Sequence, residues 1–447
     1  MSSQEMLRWI NEQFKGTNQL TEKTLDYENK YIVLFYVKSM IDKALLQKII
    51  IKPFFEMANE HQLRSYLLAL PQFQKVESKE QLLFEITNGY TLVVIQDDLF
   101  LFDLKLSKND QVNTTTVETT IHGSQLALSD NLLTNINVIR STYHEPSLVT
   151  EFFTKGGANK QKVALIYDKE KVNKDVLNII RKRLQSVDKQ VISATTQLNN
   201  FLNNKRFSLF PQMIMTERPD RIVYNIAGGK VILLEDGNPQ SLAAPVVFFD
   251  FMTTMEDNYH TLLVSIFLKA LRYVGLFISL LLPGLYVGVT SYSPEVFRTE
   301  LALTVAGSRI GVPFSSFVEV LFMLFFMELL LEASIRLPKV VSATATTVGG
   351  LILGTAVTEA SLSSNIMVII VSAVAISTFV IPVNEMAFSI RIVRFSLLVI
   401  ASLFGLAGLA LGLFVLIMYL VSISSFGEPY LRFYNFQKQK ERTEEHI

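Results

Sequence analysis

The chain has no cysteine among its 447 residues. That excludes disulfides, thiolate catalysis and Cys-ligated metal. Histidine is scarce: His61, His122, His144, His260 and His446 are scattered, without metal-ligand spacing. Neither sign of charge dominates, with 41 basic and 41 acidic residues, so nucleic acid has no electrostatic footprint to bind. Phosphate loops of the GxxxxGK[ST] type, HExxH and GxSxG are all missing. Asp97 and Asp98, at a strand end, read as solvated turn acids. The expectation is a non-enzyme with no cofactor and no metal. The first residues hold no apolar run of signal-peptide length, so residues 1–257 are expected to stay in the cytoplasm.

Aspartate disappears after residue 257. Residues 258–447 keep 12 Lys and Arg, 11 Glu and no Asp, as a low-dielectric environment demands. Four stretches carry no charge at all: Tyr273–Pro294, Val340–Thr358, Ala360–Asn384 and Phe395–Gly427. A helix needs about 20 mostly apolar residues to cross a bilayer. The pattern predicts an α/β soluble head on an α-helical polytopic membrane domain. The expected divisions are subdomain 1 (1–145), subdomain 2 (146–257), the membrane domain (258–430) and a cytoplasmic tail (431–447) bearing Arg432, Lys438, Lys440 and Arg442.

The head reads as two related subdomains. Residues 4–25 look like a polar helical lead. Tyr31–Val37 is a strand followed by a helical pattern at Ile41, Leu45, Ile49 and Ile50. GYTLVVIQDD and LFLFDLKL then form a hairpin. The order recurs: Lys162–Tyr167 is a strand, KVNKDVLNIIRKRL a helix, and GKVILLEDGNP a glycine, a strand and an acidic turn. Gly89 aligns with Gly229 and Val33 with Val163, which indicates a duplicated unit. A last strand, Leu242–Phe251, precedes the membrane segments.

The first membrane helix is expected from Leu262 to Val289, with Lys269 and Arg272 near its start and a kink or break at Pro283. Residues 294–314, with Glu295, Arg298, Glu300 and Arg309, are too charged for a lipid-facing span and read as interfacial or re-entrant. Residues 314–335 combine many aromatics with Glu319, Glu328 and Glu332. Acids inside a span are functional candidates by default. Glu319 and Glu332 have an alternative as ion pairs with Arg309 and Arg336, whereas Glu328 needs a partner or water inside the bundle. Residues 395–427 exceed one straight crossing, so part should tilt or extend beyond the bilayer. This gives five candidate spans, while two cytoplasmic ends require an even number.

Several stretches resemble the A subunit of GerA-type spore germination receptors. They are Leu133-Thr134-Asn135 with Ile139-Arg140, Thr216-Glu217-Arg218-Pro219-Asp220, the LLEDGNP turn, and Thr299-Glu300-Leu301-Ala302-Leu303. Ala306-Gly307-Ser308-Arg309 with Gly311-Val312-Pro313-Phe314 follows, then Glu332–Pro338 and Ser425-Phe426-Gly427 before Pro429-Tyr430-Leu431. The chain departs from the family at His122-Gly123-Ser124, where Arg-Gly-Pro is usual.

The resemblance implies a component of a nutrient germinant receptor in the inner membrane of a bacterial endospore. It implies a homo-oligomer, a pentamer, forming a channel for monovalent cations. A transporter-like B subunit and a lipoprotein C subunit would be its partners, beside membrane lipid. On this expectation Glu319, Met323, Phe326, Glu328 and Leu330 are pore-lining candidates, with Met323, Phe326 and Leu330 either a dewetting gate or a stripe of the bundle core. Glu217, Arg218, Pro219, Asp220, Glu300, Arg309 and Pro313 are candidates for coupling head to membrane. An amplifying paralog, a secondary transporter and a membrane scaffold are the alternatives.

Overall fold

The computed structural model describes residues 3–14, 20–28, 30–38, 40–76, 78–96, 98–105, 113–115, 117–157, 159–187, 194–203 and 208–432. Asp97 and nearly all of the expected tail lie outside the described residues. The chain divides into two compact units. One comprises 1–206, 213–246 and 425–428; the other comprises 207–212, 247–424 and 429–447. Residues 247–257, assigned above to the head, thus belong with the helical unit.

The first unit is a repeat. Its first half runs α1 (Ser3–Gln13), β1 (Leu20–Tyr27), β2 (Lys30–Val37), α2 (Lys43–Leu46), α3 (Lys52–Glu56), α4 (Glu60–Ala69), β3 (Phe73–Lys75), α5 (Lys79–Thr87), β4 (Tyr90–Ile95) and β5 (Asp98–Asp103). Its second half runs α6 (Leu132–Arg140), β6 (Leu148–Lys155), β7 (Gln161–Asp168), α7 (Lys174–Ser186), α8 (Thr195–Leu202), β8 (Ile214–Thr216), α9 (Pro219–Ala227), β9 (Val231–Glu235) and β10 (Ser241–Ala244). The two five-stranded sheets have orders β1-β2-β4-β5-β3 and β6-β7-β9-β10-β8, which are the same order shifted by five. Every pairing is antiparallel.

Each sheet is covered on both faces. In the first half Ile32 and Leu34 pack with Ile50, Phe54 and Leu67, while Phe35 and Val37 pack with Ile10, Leu82 and Ile86. In the second, Val163 and Leu165 pack with Ile180 and Leu198, while Ile166 packs with Ile136 and Ile222. Gly89 and Gly229 are true equivalents. Both take positive φ just after a helix, and a Cβ there would fall 2.9 Å from the Met40 carbonyl and 2.5 Å from that of Lys171.

The alignment of Val33 with Val163 is off by one. Ile32 pairs with Ile95 and Val163 with Glu235, so Ile32 is the counterpart of Val163. A one-residue slip exchanges the two faces. Two more expectations change. Leu20–Tyr27 is a strand rather than helix, its polar residues suiting a sheet edge. The last strand stops at Ala244 because Pro245 has no N–H for the ladder.

The second unit contains α10 (Leu262–Tyr292), α11 (Thr299–Ser308), α12 (Ser316–Arg336), α13 (Lys339–Glu359), α14 (Asn365–Phe379) and α15 (Asn384–Ser422). Three are long and apolar enough to cross a membrane by length and composition: α10, α13 and α15. Helix α10 is not broken at Pro283. One lost backbone bond is tolerated inside a helix packed by neighbours, and α15 lies against Gly284 there through Leu409 and Ala401. Helix α11, with 10 residues, is only about 15 Å long, in keeping with an interfacial segment.

Helix α15 is a hairpin. Gly405 has φ 63° and ψ −147°, and the two arms fold together around it. Leu209 N–H donates to Tyr419 Oη at 3.2 Å, and Ser389 Oγ donates to the Leu209 carbonyl at 2.6 Å. A straight helix would set residues 389 and 419 about 45 Å apart. A Cβ on Gly412 would sit 2.6 Å from the Leu397 side chain, again across the arms. The expected tilt or extension is therefore replaced by a reversal. Six segments now alternate in direction: α10, α12, α13, α14 and the two arms of α15. Thr290 meets Ser316, Ser342 meets Ser334, Glu319 meets Ser364, and Tyr292 meets Ser402. Their even number returns the chain to the Leu262 end.

Candidate functional site

The coupling candidates in the head form one node around the linker between the repeats. Pro219 opens α9 with Asp220 in its first turn, where a fixed φ and a negative charge both favour a helix start. Arg218 is buried and makes five hydrogen bonds to four residues. Its Nε and Nη2 bind Asp220 at 3.0 and 2.6 Å, Nη1 donates to Glu118 O and Thr120 Oγ1, and Nη2 donates to Ser124 O. Glu217 accepts from the N–H groups of Val117 and Glu118 at 2.7 and 3.1 Å. Arg221 pairs with Glu118 at 3.0 Å. The motif clamps residues 117–124 of the linker, including the His122-Gly123-Ser124 departure, onto the second repeat.

The acids of α12 each have a different fate. Glu319 is fully buried. Its Oε1 accepts from Ser363 Oγ at 3.1 Å and from Ser364 N and Oγ, both at 2.7 Å. The carboxylate thereby caps the start of α14, where the helix dipole favours it. Arg309 Nε stands 3.3 Å from its other oxygen. The ion pair with Arg309 is thus the outcome, and α11, α12 and α14 meet there. Glu328 finds the partner it needed in two arginines of α15: Arg391 at 3.2 Å and Arg394, which is fully buried. Arg394 also donates to Thr378 Oγ1 at 3.3 Å, and Thr378 bonds Ser279 at 2.9 Å. Glu332 pairs with Arg336 one turn on, in the open.

The remaining candidates separate. Met323 is buried in the bundle core beside Val320, Leu324 and Met327. Phe326 packs edge-on against Phe322 and Phe325, and Leu330 lies beside Gly349 of α13. They do not form one open stripe. Glu300 is exposed in the first turn of α11, and Pro313 is exposed in the loop before α12. All described partners of Arg309 lie in the helical unit.

Helix α13 covers the charge-free stretch Val340–Thr358, rich in Ser, Thr, Ala and Gly, which the sequence marks as a span suited to tight packing but not as a pore candidate. Only 6 % of its crossing-length window is buried, against 56 % for α10. Thr344, Thr347, Leu351 and Thr355 fall on one exposed face, with Thr347 and Thr355 returning their hydroxyl protons to the helix backbone. Among the described residues no cluster of three His, Asp or Glu could hold a metal ion.

The architecture is thus a duplicated α/β head and a helical unit in which three helices are long and apolar enough to cross a membrane. Residues 8–445 match the profile described as Bacillus/Clostridium GerA spore germination protein, and the chain belongs to that family. It is 30 % identical to spore germination protein GerLA of Bacillus cereus, over 95 % of this chain and 89 % of the relative. It is also 30 % identical to spore germination protein KA of Bacillus subtilis, over 91 % of this chain and 76 % of the relative. Among solved structures, the N-terminal domain of the A subunit of the Bacillus megaterium spore germinant receptor GerK3 is similar at 19 % identity and TM-score 0.39, covering 55 % of this chain and 96 % of that one.

Proposed function

We propose that this chain is the A subunit of a nutrient germinant receptor, acting as a homo-oligomeric cation channel in the spore inner membrane. Transporter-like B and lipoprotein C subunits are its partners, and the head faces the spore core. The observation that carries the reading is the exposure of α13. A crossing-length helix rich in Thr, Ser and Gly has little to offer lipid, and its small residues suit close approach by other helices. Copies of α13 gathered around an axis would present the hydroxyls of Thr344, Thr347 and Thr355 to water, with Leu351 as a hydrophobic constriction. Glu319 and Met323, committed to the bundle interior, would support that ring rather than line it, and Phe326 and Leu330 would back it.

The test is potassium flux from vesicles carrying this chain, with and without the B and C subunits and candidate nutrients. Nutrient-dependent efflux that needs all three is expected. Assembled protein that passes no potassium in any combination would overturn the channel reading.

A further inference from the structure

We infer that a cavity at the Tyr292 end of the helical unit is a binding site for a carboxylate on a compact apolar body. The cavity measures about 340 Å³, within the range of small-molecule sites. Pro294, Phe297, Ala302, Val305 and Ala306 supply its apolar walls, and Arg309 supplies its charge. No acidic residue is among the described lining, so a cation has nothing to bind.

The arginine is built for this task. It is fixed at the C-cap of α11 and is anchored from behind by the fully buried Glu319 at 3.3 Å. Neither Arg309 Nε nor Glu319 Oε2 has a directed hydrogen bond, so the pair is held by charge alone. Its other described bond is a long one, 3.3 Å, from Nη2 to the Phe314 carbonyl. A guanidinium has five N–H donors and matches a carboxylate with two parallel bonds. Most of that capacity remains, the side chain is 21 % exposed, and Arg309 lines the cavity. A bound carboxylate would take these donors and compete with Glu319 for the charge. Since Glu319 also caps α14, occupancy reaches the α12–α14 junction directly.

The inference needs no ion conduction and is tested without it. Binding of radiolabelled 4-methylpentanoate to the full chain in lipid nanodiscs is measured beside its neutral amide. Saturable binding of the acid and none of the amide is expected. Arg309→Gln, which removes the charge, and Ala306→Leu, which fills the cavity and spares the Arg309–Glu319 pair, should each weaken it on the order of tenfold or more. If Arg309→Gln does not fold, Ala306→Leu decides. Equal uptake of acid and amide, or acid binding that Ala306→Leu leaves unchanged, would overturn the site. Oleate in the nanodisc separates two sources of the same chemistry: displacement assigns a membrane fatty acid, and no displacement assigns a soluble acid.

Discussion

Helices α12 and α13 are neighbours of equal length, 21 residues each, and they solve opposite problems. Helix α12 spends its acids and its large side chains inside its own chain: Glu319 on the start of α14, Glu328 on two arginines, Val320 and Met323 in the core. Helix α13 buries few of its described residues, Val357 among them. A buried ionised side chain is tolerated only with a partner, so α12 is fixed by what the chain itself provides. A helix with Thr and Gly on its open face has no such closure within one copy. The contrast divides residues that hold the bundle together from residues that no described partner within one copy engages.

The sharpest way to break that division is Glu328→Gln. It strips the buried Arg394 of its only carboxylate among the described partners and should destabilise the helical unit by about 3–5 kcal/mol. Protease resistance and the thermal midpoint of the chain in nanodiscs report this directly. An unchanged midpoint would mean that α12 is not held by its charge pairs. Glu319→Gln keeps an acceptor for the Ser363 and Ser364 donors but loses the charge facing Arg309. A smaller loss, about 2 kcal/mol, is expected from the same melt. A cost equal to that of Glu328→Gln would show that the ion pair, rather than the cap, carries Glu319.

How far these roles were legible depended on distance along the chain. The pairing of Glu332 with Arg336, four residues apart, follows from helical geometry alone. That Glu328 needs a partner was also legible, but not which one. Arg391 and Arg394 lie on a helix far along the chain, and only folding brings them near. In the head, Gly89 and Gly229 marked the duplication because a positive φ beside a close carbonyl admits little else. Register was not legible, since β2 and β7 are buried on both faces and lack the polar alternation that distinguishes one face from the other. Arg218 stood out in its motif, but its hold on residues 118–124 was not legible, because those partners lie about 100 positions earlier in the chain. The hairpin at Gly405 was hidden among glycines spaced for helix packing, because sequence does not distinguish a glycine that packs from one that turns.

For α13 the expected effect falls on transport and hardly on stability. Leu351 is 67 % exposed, so Leu351→Thr removes little packing and should move the melt by under about 0.5 kcal/mol. In vesicles with the B and C subunits, the same change should raise potassium leak in the absence of nutrient, because a polar ring does not dewet. Phe326→Ala, one layer behind, should raise leak less. The reverse ranking would move the constriction from α13 to α12.

The smallest effect belongs to the pair that resembles the others only on paper. Glu332 and Arg336 meet at 2.6 Å with 59 % and 77 % of their side chains exposed. An open i,i+4 pair is worth about 0.3–0.5 kcal/mol, so Glu332→Gln should leave the melt within that margin while Glu328→Gln, one helical turn earlier, collapses it. Both variants remove one negative charge from the same helix. Their difference therefore isolates burial from charge, and raising the salt concentration should erase the remaining cost at Glu332 but not the cost at Glu328. Equal losses at the two positions would place Glu332 in an interface that a single copy of the chain does not contain, and α12 as well as α13 would then be a candidate contact surface.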